Sequence, residues 1–144
     1  MKHVTVPKDR IGVLIGEGGE TMREIEDRAA IGRGFAPEDA FRLLDDEMQR
    51  FDLIDIDAAT RNKKDLRRKK GRLIGEGGRT RELMAELSGA DVVIYGTTLG
   101  AIGSPEQVDA VRSAAEMILD GAPHGAVYSF LERRHNEMRS NDIE

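Results

Sequence analysis

A glycine cluster occurs twice in this chain of 144 residues, as "IGEGGET" at 15–21 and "IGEGGRT" at 74–80, 59 positions apart. Each copy lies between segments with helical periodicity, so the two copies predict a duplicated structural unit rather than an isolated turn. The agreement extends to either side of the glycines. Eight residues recur 59 positions later. With the numbers of the first copy they are Gly12, Leu14, Ile15, Gly16, Glu17, Gly18, Gly19 and Thr21.

The composition excludes several kinds of function. The chain has no cysteine, which rules out disulfides, thiol nucleophiles and thiolate metal sites. Its histidines, His3, His124 and His135, lack metal-ligand spacing, so we expect no metal and no other cofactor. The acidic pairs have no basic or nucleophilic group around them, which argues against an enzyme. No apolar run reaches the roughly 20 residues of a membrane span, so we expect a cytoplasmic protein with no membrane partner.

The charge is unevenly distributed along the chain. Residues 61–81 hold ten Lys and Arg against Asp65 and Glu76, a local balance of +8 in a chain whose net charge is −5. The remaining residues therefore sum to −13. A basic segment on an otherwise acidic protein is typical of a localised site for a polyanion, and this segment includes the second glycine cluster.

The hydrophobic pattern after residue 50 predicts a small α+β unit with the order strand, helix, glycine cluster, helix, hairpin and helix. Ser104 and Gln107 have the spacing of a capping box at the start of that last helix, and Gly96 with Thr97 suits the turn of the hairpin. The predicted ranges are a strand at 51–57, helices at 62–74 and 79–88, strands at 91–96 and 98–103, a helix at 104–120 and another from about Pro123.

Before residue 50 the same order is incomplete. A strand at 3–7, a helical stretch, the first glycine cluster and a second helix are followed by no hairpin, and an amphipathic helix then runs to about Arg50. We therefore expect a partial unit at 1–30, a connecting helix at 31–50, a complete unit at 51–122, and a C-terminal helix and tail at 123–144.

Three phosphate-binding motifs contain glycines of this kind. A nucleotide P-loop needs Lys directly after its last glycine, where this chain has Glu20 and Arg79. A dinucleotide fingerprint needs a strand directly before its first glycine, where a helical stretch is predicted. The KH module has a G-x-x-G turn between two helices that clamps the backbone of about four single-stranded nucleotides. Both copies match that context better than they match ordinary helix-capping turns.

The chain resembles the archaeal two-KH proteins related to the eukaryotic small-subunit assembly factor known as partner of the Nob endonuclease. The resemblance lies in "VPKDRIGVLIGEGGETMREIE", "IGRGFAPEDAFRLLDDE", "DLRRKKGRLIGEGGRTRELMAELSGADVVIYG" and "LDGAPHGAVYSFLERR". It implies a type I KH module, with a three-stranded sheet packed by three helices, between a truncated KH-like unit and an extra C-terminal helix. It also implies binding to the 3′ region of small-subunit rRNA during ribosome maturation, with a Nob-type endonuclease and the archaeal initiation factor two alpha subunit as partners.

Two features depart from that family. The segment "EDRAA" at 26–30 runs straight into "IGRGF", where the family's first KH domain continues with strands and a helix, so some tens of residues are missing from the first unit. Each glycine turn also contains a glutamate, Glu17 or Glu76, where a basic residue is common. Because a carboxylate repels phosphate, neighbouring cations must supply the attraction, and more of them flank the second copy.

We therefore place the main RNA site in the second unit, where backbone amides after Gly78 and the flanking cations hold phosphates. An apolar groove for bases is expected from Val93 and Tyr95, joined by Ile74 and Leu83, although these last two have the spacing of core residues and Tyr95 suits core or base stacking equally. The predicted RNA-binding residues are Lys69, Lys70, Arg72, Ile74, Gly75, Glu76, Gly77, Gly78, Arg79, Thr80, Arg81, Val93 and Tyr95, with a weaker second site at Gly16, Glu17, Gly18 and Gly19.

An alternative function comes from a different class of protein. An adaptor would use the KH fold as a docking surface for other proteins, with RNA binding weakened or lost. The glutamates in both turns and the truncated first unit favour it. Salt separates the two functions, because RNA binding weakens with a log–log slope of about −0.7 for each neutralised phosphate.

Overall fold

A computed structural model describes residues 29–40 and 48–143 of the chain. At its centre is a three-stranded antiparallel sheet with the order β1-β3-β2. The strands are β1 at Arg50–Asp55, β2 at Asp91–Tyr95 and β3 at Thr98–Gly103. The helices are α1 at Pro37–Ala40, α2 at Lys63–Ile74, α3 at Arg79–Ser88, α4 at Pro105–Leu119 and α5 at His124–Ile143, with 3-10 turns at Asp57–Ala59 and Glu76–Gly78.

The main core lies between the sheet and the helices α2, α3 and α4, which confirms the predicted α+β fold. Side chains alternate between the two faces of a strand, so every second residue of β2 and β3 points into this core. The buried members include Val92, Leu99 and Ala101 from the sheet. The helices contribute Leu73, Met84, Val108, Val111, Ala114, Ala115 and Ile118, and α5 adds Val127 and Leu131.

The other face of the sheet is covered by the segment at 29–36. Phe35 is buried there, and its ring packs so closely on β3 that a Cβ added to Gly100 would lie 2.7 Å from the ring. Phe35 also meets Phe51 edge to face, with ring centroids 5.9 Å apart. The buried guanidinium of Arg33 donates hydrogen bonds to the hydroxyl of Thr98, so the segment is fastened to the sheet by polar as well as apolar contacts.

Local sequence signals set most of the boundaries. The Ser104 hydroxyl accepts from the Gln107 N–H while the Gln107 side chain accepts from the Ser104 N–H, which is the predicted capping box. Gly89 ends α3 with φ of 83°, a left-handed conformation that favours glycine. The hairpin turn also falls at Gly96 and Thr97, as predicted.

The connecting helix does not reach Arg50, because Arg50 is the first residue of β1. The strand predicted at 51–57 begins one residue earlier, at Arg50, and ends two residues earlier, at Asp55. A 3-10 turn begins at Asp57. The partial first unit, including the strand expected at 3–7 and the first glycine cluster, lies outside the described residues. Within the ranges that the structure describes, no helix combines the length and apolar character that a membrane crossing requires.

The N-terminus of α2 is organised around Asp65. The Asn62 side chain accepts from the Asp65 N–H at 2.8 Å, and the Asp65 carboxylate accepts from the Arg61 N–H at 3.1 Å. Arg68 donates to the same carboxylate at 2.6 Å. This last hydrogen bond is the main reason that the pKa of Asp65 is lowered from 3.8 to about 2. The ionised carboxylate therefore stabilises the start of α2.

The first prediction concerns acid stability. Because the folded pKa of Asp65 lies below its unfolded value, the contribution of Asp65 is fully present above about pH 4 and is lost as pH falls through about 2. We expect Asp65→Asn to lower the free energy of unfolding, measured with urea at pH 6, and the gap from wild type to narrow towards pH 2. A gap that stays the same at both pH values would show that the carboxylate charge is not the stabilising feature.

The second prediction concerns the docking of α5. Leu131 is completely buried between α5 and the rest of the core. Leu131→Ala should therefore lower the free energy of unfolding by about 2–5 kcal/mol, the range for removing a buried leucine. The control is Glu132→Ala at the exposed next position, which should change stability by less than about 0.5 kcal/mol. Equal effects of the two substitutions would mean that α5 is not part of the cooperative core.

Candidate nucleic-acid interface

The second glycine cluster forms the turn between α2 and α3. Gly75 ends α2 with φ of 77°, and Gly77 and Gly78 have φ of 63° and 80°, so all three adopt conformations that other residues rarely accept. Gly75 also faces the start of α3 directly. A Cβ on Gly75 would overlap the Thr80 hydroxyl and lie 2.7 Å from the Thr80 N. The turn can close this tightly only with glycine at position 75.

The outer side of the turn is open. A Cβ added to Gly77 or Gly78 would meet nothing within 4 Å, and Gly77 is exposed to solvent. The backbone here is therefore bare of side chains on its outward face, at the N-terminal and positive end of the dipole of α3. An anionic ligand can approach this backbone to contact distance.

The amides of the turn are less free than the sequence predicts. The Gly78 N–H donates to the Gly75 carbonyl at 3.1 Å, and the Arg79 N–H donates to the Glu76 carbonyl. The prediction that backbone amides after Gly78 hold phosphates therefore does not fit the Arg79 amide, because this amide already donates within the 3-10 turn. The attraction for an anion therefore depends on the helix dipole, on the close approach that the glycines permit and on nearby cations.

Two of the predicted cations in α2 are used inside the protein. Lys69 donates to the Ala59 carbonyl at 2.9 Å and lies 3.5 Å from the Asp65 carboxylate. Arg72 donates to the Ile118 carbonyl at 2.9 Å and to the Ala122 carbonyl at 2.5 Å. Lys69 and Arg72 thus hold α2 against neighbouring segments, which does not fit their predicted role in binding RNA.

Other cations of the basic segment remain available. Arg79 is exposed at the first position of α3, and Lys70 is half-buried. Lys63 and Arg67 are exposed. Together with Lys70 they occupy positions i, i+4 and i+7, so the three lie on one side of α2, which ends at the glycine turn. Lys63 and Arg67 are not among the predicted RNA-binding residues, although a helical projection of the basic segment separates them from Lys69 and Arg72.

The register of β2 contradicts the predicted groove lining. Val93 pairs with Gly100 and Tyr95 pairs with Thr98, and both side chains pack against the segment at 29–36. A Cβ on Gly34 would lie 2.9 Å from the Tyr95 ring and 3.1 Å from a Val93 methyl. Val93 and Tyr95 therefore lie on the sheet face opposite to the helices and the glycine turn.

The apolar surface on the helix side is made by other residues. Ile94 follows the alternation of β2 onto the helix-covered face and is partly buried against the main core. Ile74 and Leu83, at the end of α2 and in α3, are half-buried and do not belong to the buried core clusters of the described residues. Arg81 spans from α3 to β2 and donates to the Val92 carbonyl at 3.1 Å, so α3 lies beside the edge strand of the sheet.

Thr80 packs against Gly75 on the buried side of the turn. Its side chain is 1% exposed, and its hydroxyl lies 2.8 Å from the Tyr128 hydroxyl in α5. A buried hydroxyl that already has a partner cannot reach a ligand outside. Of the predicted residues of the turn, Gly77 and Arg79 are thus the ones most open to solvent, together with the exposed Glu76.

Gly71 is an unexpected part of this surface. It lies in the last turns of α2, is exposed, and a Cβ there would meet nothing within 4 Å. A glycine inside a helix costs about 1 kcal/mol relative to alanine, and no packing in the described part of the chain requires it. Gly71 recurs as Gly12 in the first copy, a sequence signal that could have pointed to it.

Within residues 29–40 and 48–143, no group of three or more His, Asp or Glu side chains is arranged to hold a metal ion.

Comparison with protein families gives two matches on this chain. Residues 50–136 match a model of the second KH domain of Pno1, described as a eukaryotic-type KH domain (KH-domain type I). Residues 1–32, most of which lie outside the described part, match a general KH-domain model. Both glycine clusters are therefore inside KH matches.

Curated relatives agree with this assignment. A KH domain-containing protein of Methanocaldococcus jannaschii is 34% identical over 168 residues, which cover 93% of this chain and 74% of that protein. Because this alignment is longer than the 144 residues of the chain, the relative contains residues without a counterpart here. The pre-rRNA-processing protein pno1 of Emericella nidulans is 32% identical over 109 residues, which cover 74% of this chain and 42% of that longer protein.

Solved structures with the same fold include two from Pyrococcus horikoshii OT3. A chain of the a/eIF2alpha–aDim2p–rRNA complex superposes with a TM-score of 0.77 at 36% identity and covers 93% of each chain. Dim2p on its own superposes with a TM-score of 0.74 at 37% identity, covering 90% of this chain and 96% of the other. From the family match over 50–136 and these relatives, the chain belongs to the KH-domain family, in the group that contains Pno1 and Dim2p.

Proposed function

We propose that the chain binds single-stranded RNA through the turn at Gly75–Gly78, and that its target is the 3′ region of small-subunit rRNA during ribosome maturation. The observation that carries the proposal is the side-chain-free backbone of Gly77 and Gly78 at the start of α3, where Gly77 is exposed and Gly78 is half-buried. A KH domain uses such a turn to hold the sugar–phosphate backbone of about four nucleotides.

The charges around the turn suit a phosphate backbone. A phosphate against Gly77 and Gly78 faces the positive end of α3, with Arg79 beside it. Lys70, Arg67 and Lys63 extend the positive side of α2 away from the turn, so a strand longer than four nucleotides meets further cations. Glu76 opposes the binding of phosphate, and these cations must outweigh it.

The place of bases and backbone follows from the same geometry. Ile74, Leu83 and Ile94 give half-buried apolar surface on the side of β2 that the helices cover. Bases stack on or pack against such surface while the phosphates remain at the turn. In this arrangement Gly71 lets the strand approach the side of α2, which is a reason for an exposed glycine inside a helix.

The relatives support the proposed target and partners. The structure from Pyrococcus horikoshii contains aDim2p together with rRNA and a/eIF2alpha, and the fungal relatives are pre-rRNA-processing proteins. We therefore propose rRNA and the initiation factor two alpha subunit as partners of this chain. A Nob-type endonuclease is proposed as the enzyme that cuts the presented RNA, while the chain itself performs no reaction.

The adaptor function is kept as the second candidate because Glu76 is exposed within the turn, where it repels phosphate. Affinity for a single-stranded RNA with the 3′ sequence of small-subunit rRNA, measured by fluorescence anisotropy over a range of salt, separates the two. RNA binding gives a log–log slope of about −0.7 for each phosphate neutralised. Absence of RNA affinity at low salt, with retained binding of the alpha subunit, would favour the adaptor.

The third prediction tests the clamp itself. Replacing both Gly77 and Gly78 by Asp adds two negative charges in open space, and RNA affinity should fall at least about tenfold, which is about 1.4 kcal/mol. The matched control replaces both glycines by Asn. Asn has nearly the same shape as Asp and tolerates the left-handed backbone equally, but it carries no charge. The Asn variant should retain markedly more affinity, and circular dichroism should show both variants folded. Equal affinity for wild type and the Asp variant would exclude binding at this turn.

The fourth prediction uses Gly71. Gly71→Ala should raise the free energy of unfolding by about 0.5–1 kcal/mol, because alanine is the better helix former. The same substitution should weaken RNA binding, since its methyl group stands where the strand approaches. Ser140→Ala, which also places alanine at an exposed helical position but near the far end of α5, is the control that should leave affinity unchanged. A Gly71→Ala protein that is stabilised and binds RNA as wild type does would place the strand elsewhere.

A further inference from the structure

The N-terminal part of α5 is joined to the glycine turn by a hydrogen bond between two hydroxyl groups. The Tyr128 hydroxyl lies 2.8 Å from Thr80 Oγ1, and Thr80 is the residue against which Gly75 packs. Because the Thr80 side chain is almost completely buried, Tyr128 is the partner that fixes its hydroxyl. The position of α3 relative to Gly75 therefore depends on α5.

A second contact joins α5 to the end of α2. His124 Nε2 lies 2.9 Å from the Arg72 carbonyl, and a carbonyl only accepts, so Nε2 carries the hydrogen and donates it. This carbonyl is one of the last four of α2, which have no partner from the helix ladder. The His124 ring also stacks on the Tyr128 ring, with centroids 5.9 Å apart and 14° between the planes.

Arg72 completes the connection in the opposite direction. Its guanidinium donates to the carbonyls of Ile118 and Ala122, at the end of α4 and in the link that leads to α5. His124 thus satisfies a carbonyl near the end of α2, and Arg72 satisfies two carbonyls at and after the end of α4. The last turn of α2 and the first turn of α3 therefore both form hydrogen bonds with the segment that runs from the end of α4 to the start of α5.

We propose that Tyr128 and His124 are positioning residues for the RNA site, which hold the glycine turn in the shape that accepts a phosphate. This inference rests on the proposed function, because it concerns how well that turn binds RNA. The helix α5 is then a working part of the binding site rather than an appended tail. It also gives a role to the segment "LDGAPHGAVYSFLERR", in which His124 and Tyr128 are one helical turn apart.

The test removes single hydroxyl groups. Tyr128→Phe keeps the ring and its stacking on His124 but deletes the hydrogen bond, and Ser129→Ala removes a hydroxyl from the exposed neighbouring position as the control. We expect Tyr128→Phe to weaken RNA binding about 3–10-fold, the effect of one neutral hydrogen bond, while Ser129→Ala has none. The melting temperature should fall by no more than about 5 °C.

Two further measurements separate positioning from general stability. Amide hydrogen exchange without RNA should become faster at Gly75–Arg79 in Tyr128→Phe and stay unchanged in the strands. Thr80→Ser keeps the hydroxyl and should bind RNA nearly as wild type does, while Thr80→Val should weaken binding as Tyr128→Phe does. The double variant Thr80→Val with Tyr128→Phe should be no weaker than either single variant, because both remove the same bond.

The outcomes distinguish this inference from the proposed function. If wild type binds RNA and the Asp variant of the turn does not, but Tyr128→Phe binds as wild type does, the positioning role alone is overturned. Faster exchange throughout the protein with a large drop in melting temperature would also overturn it, since Tyr128 would then be a general stabilising residue. If wild type binds no RNA at any salt concentration, the proposed function and this inference fall together.

Discussion

The close approach of Gly75 to Thr80 is the contact on which the site depends. It brings the end of α2 and the start of α3 so near to each other that no side chain fits between them. A larger residue at position 75 would push the two helices apart and open the turn. Because Thr80 is in turn bonded to Tyr128 and packed in the core layer of α3, the shape of an exposed turn is determined by buried contacts.

The basic segment contains two rows of side chains on α2, and its charge alone does not show which row makes contacts within the protein. Asp65, Lys69 and Arg72 follow each other at i, i+4 and i+7 and take part in contacts within the protein, whereas Lys63, Arg67 and Lys70 form a second row at the same spacing. Counting charges along the sequence therefore predicted an RNA site in this segment, but it included two cations that make contacts within the protein. The helical period of 3.6 residues is the information that such a count leaves out.

The sequence predicted those features that depend on local signals. The order of the elements, the capping box at Ser104 and the glycine end of α3 follow from residues close together in the chain, and the structure confirms them. The orientation of β2 could not be predicted in this way. Its sequence "DVVIY" is apolar at successive positions because both faces of the sheet are covered, so alternation gave no indication of which face meets the helices. The covering segment at 29–36 comes from a distant part of the chain, and only the tertiary structure reveals it.

The link between α5 and the glycine turn has a thermodynamic consequence. If the docked α5 favours the turn that accepts phosphate, then RNA in the turn must favour the docked α5 by the same free energy, because coupling between two equilibria is reciprocal. The contacts that carry this coupling are few and polar: the Thr80–Tyr128 bond, the His124–Arg72 bond and the two bonds of the Arg72 guanidinium. Val127 and Leu131 supply the apolar burial that keeps α5 in place. The apolar contacts therefore stabilise the docked α5, while the polar contacts near its start determine how strongly docking is coupled to the proposed RNA site.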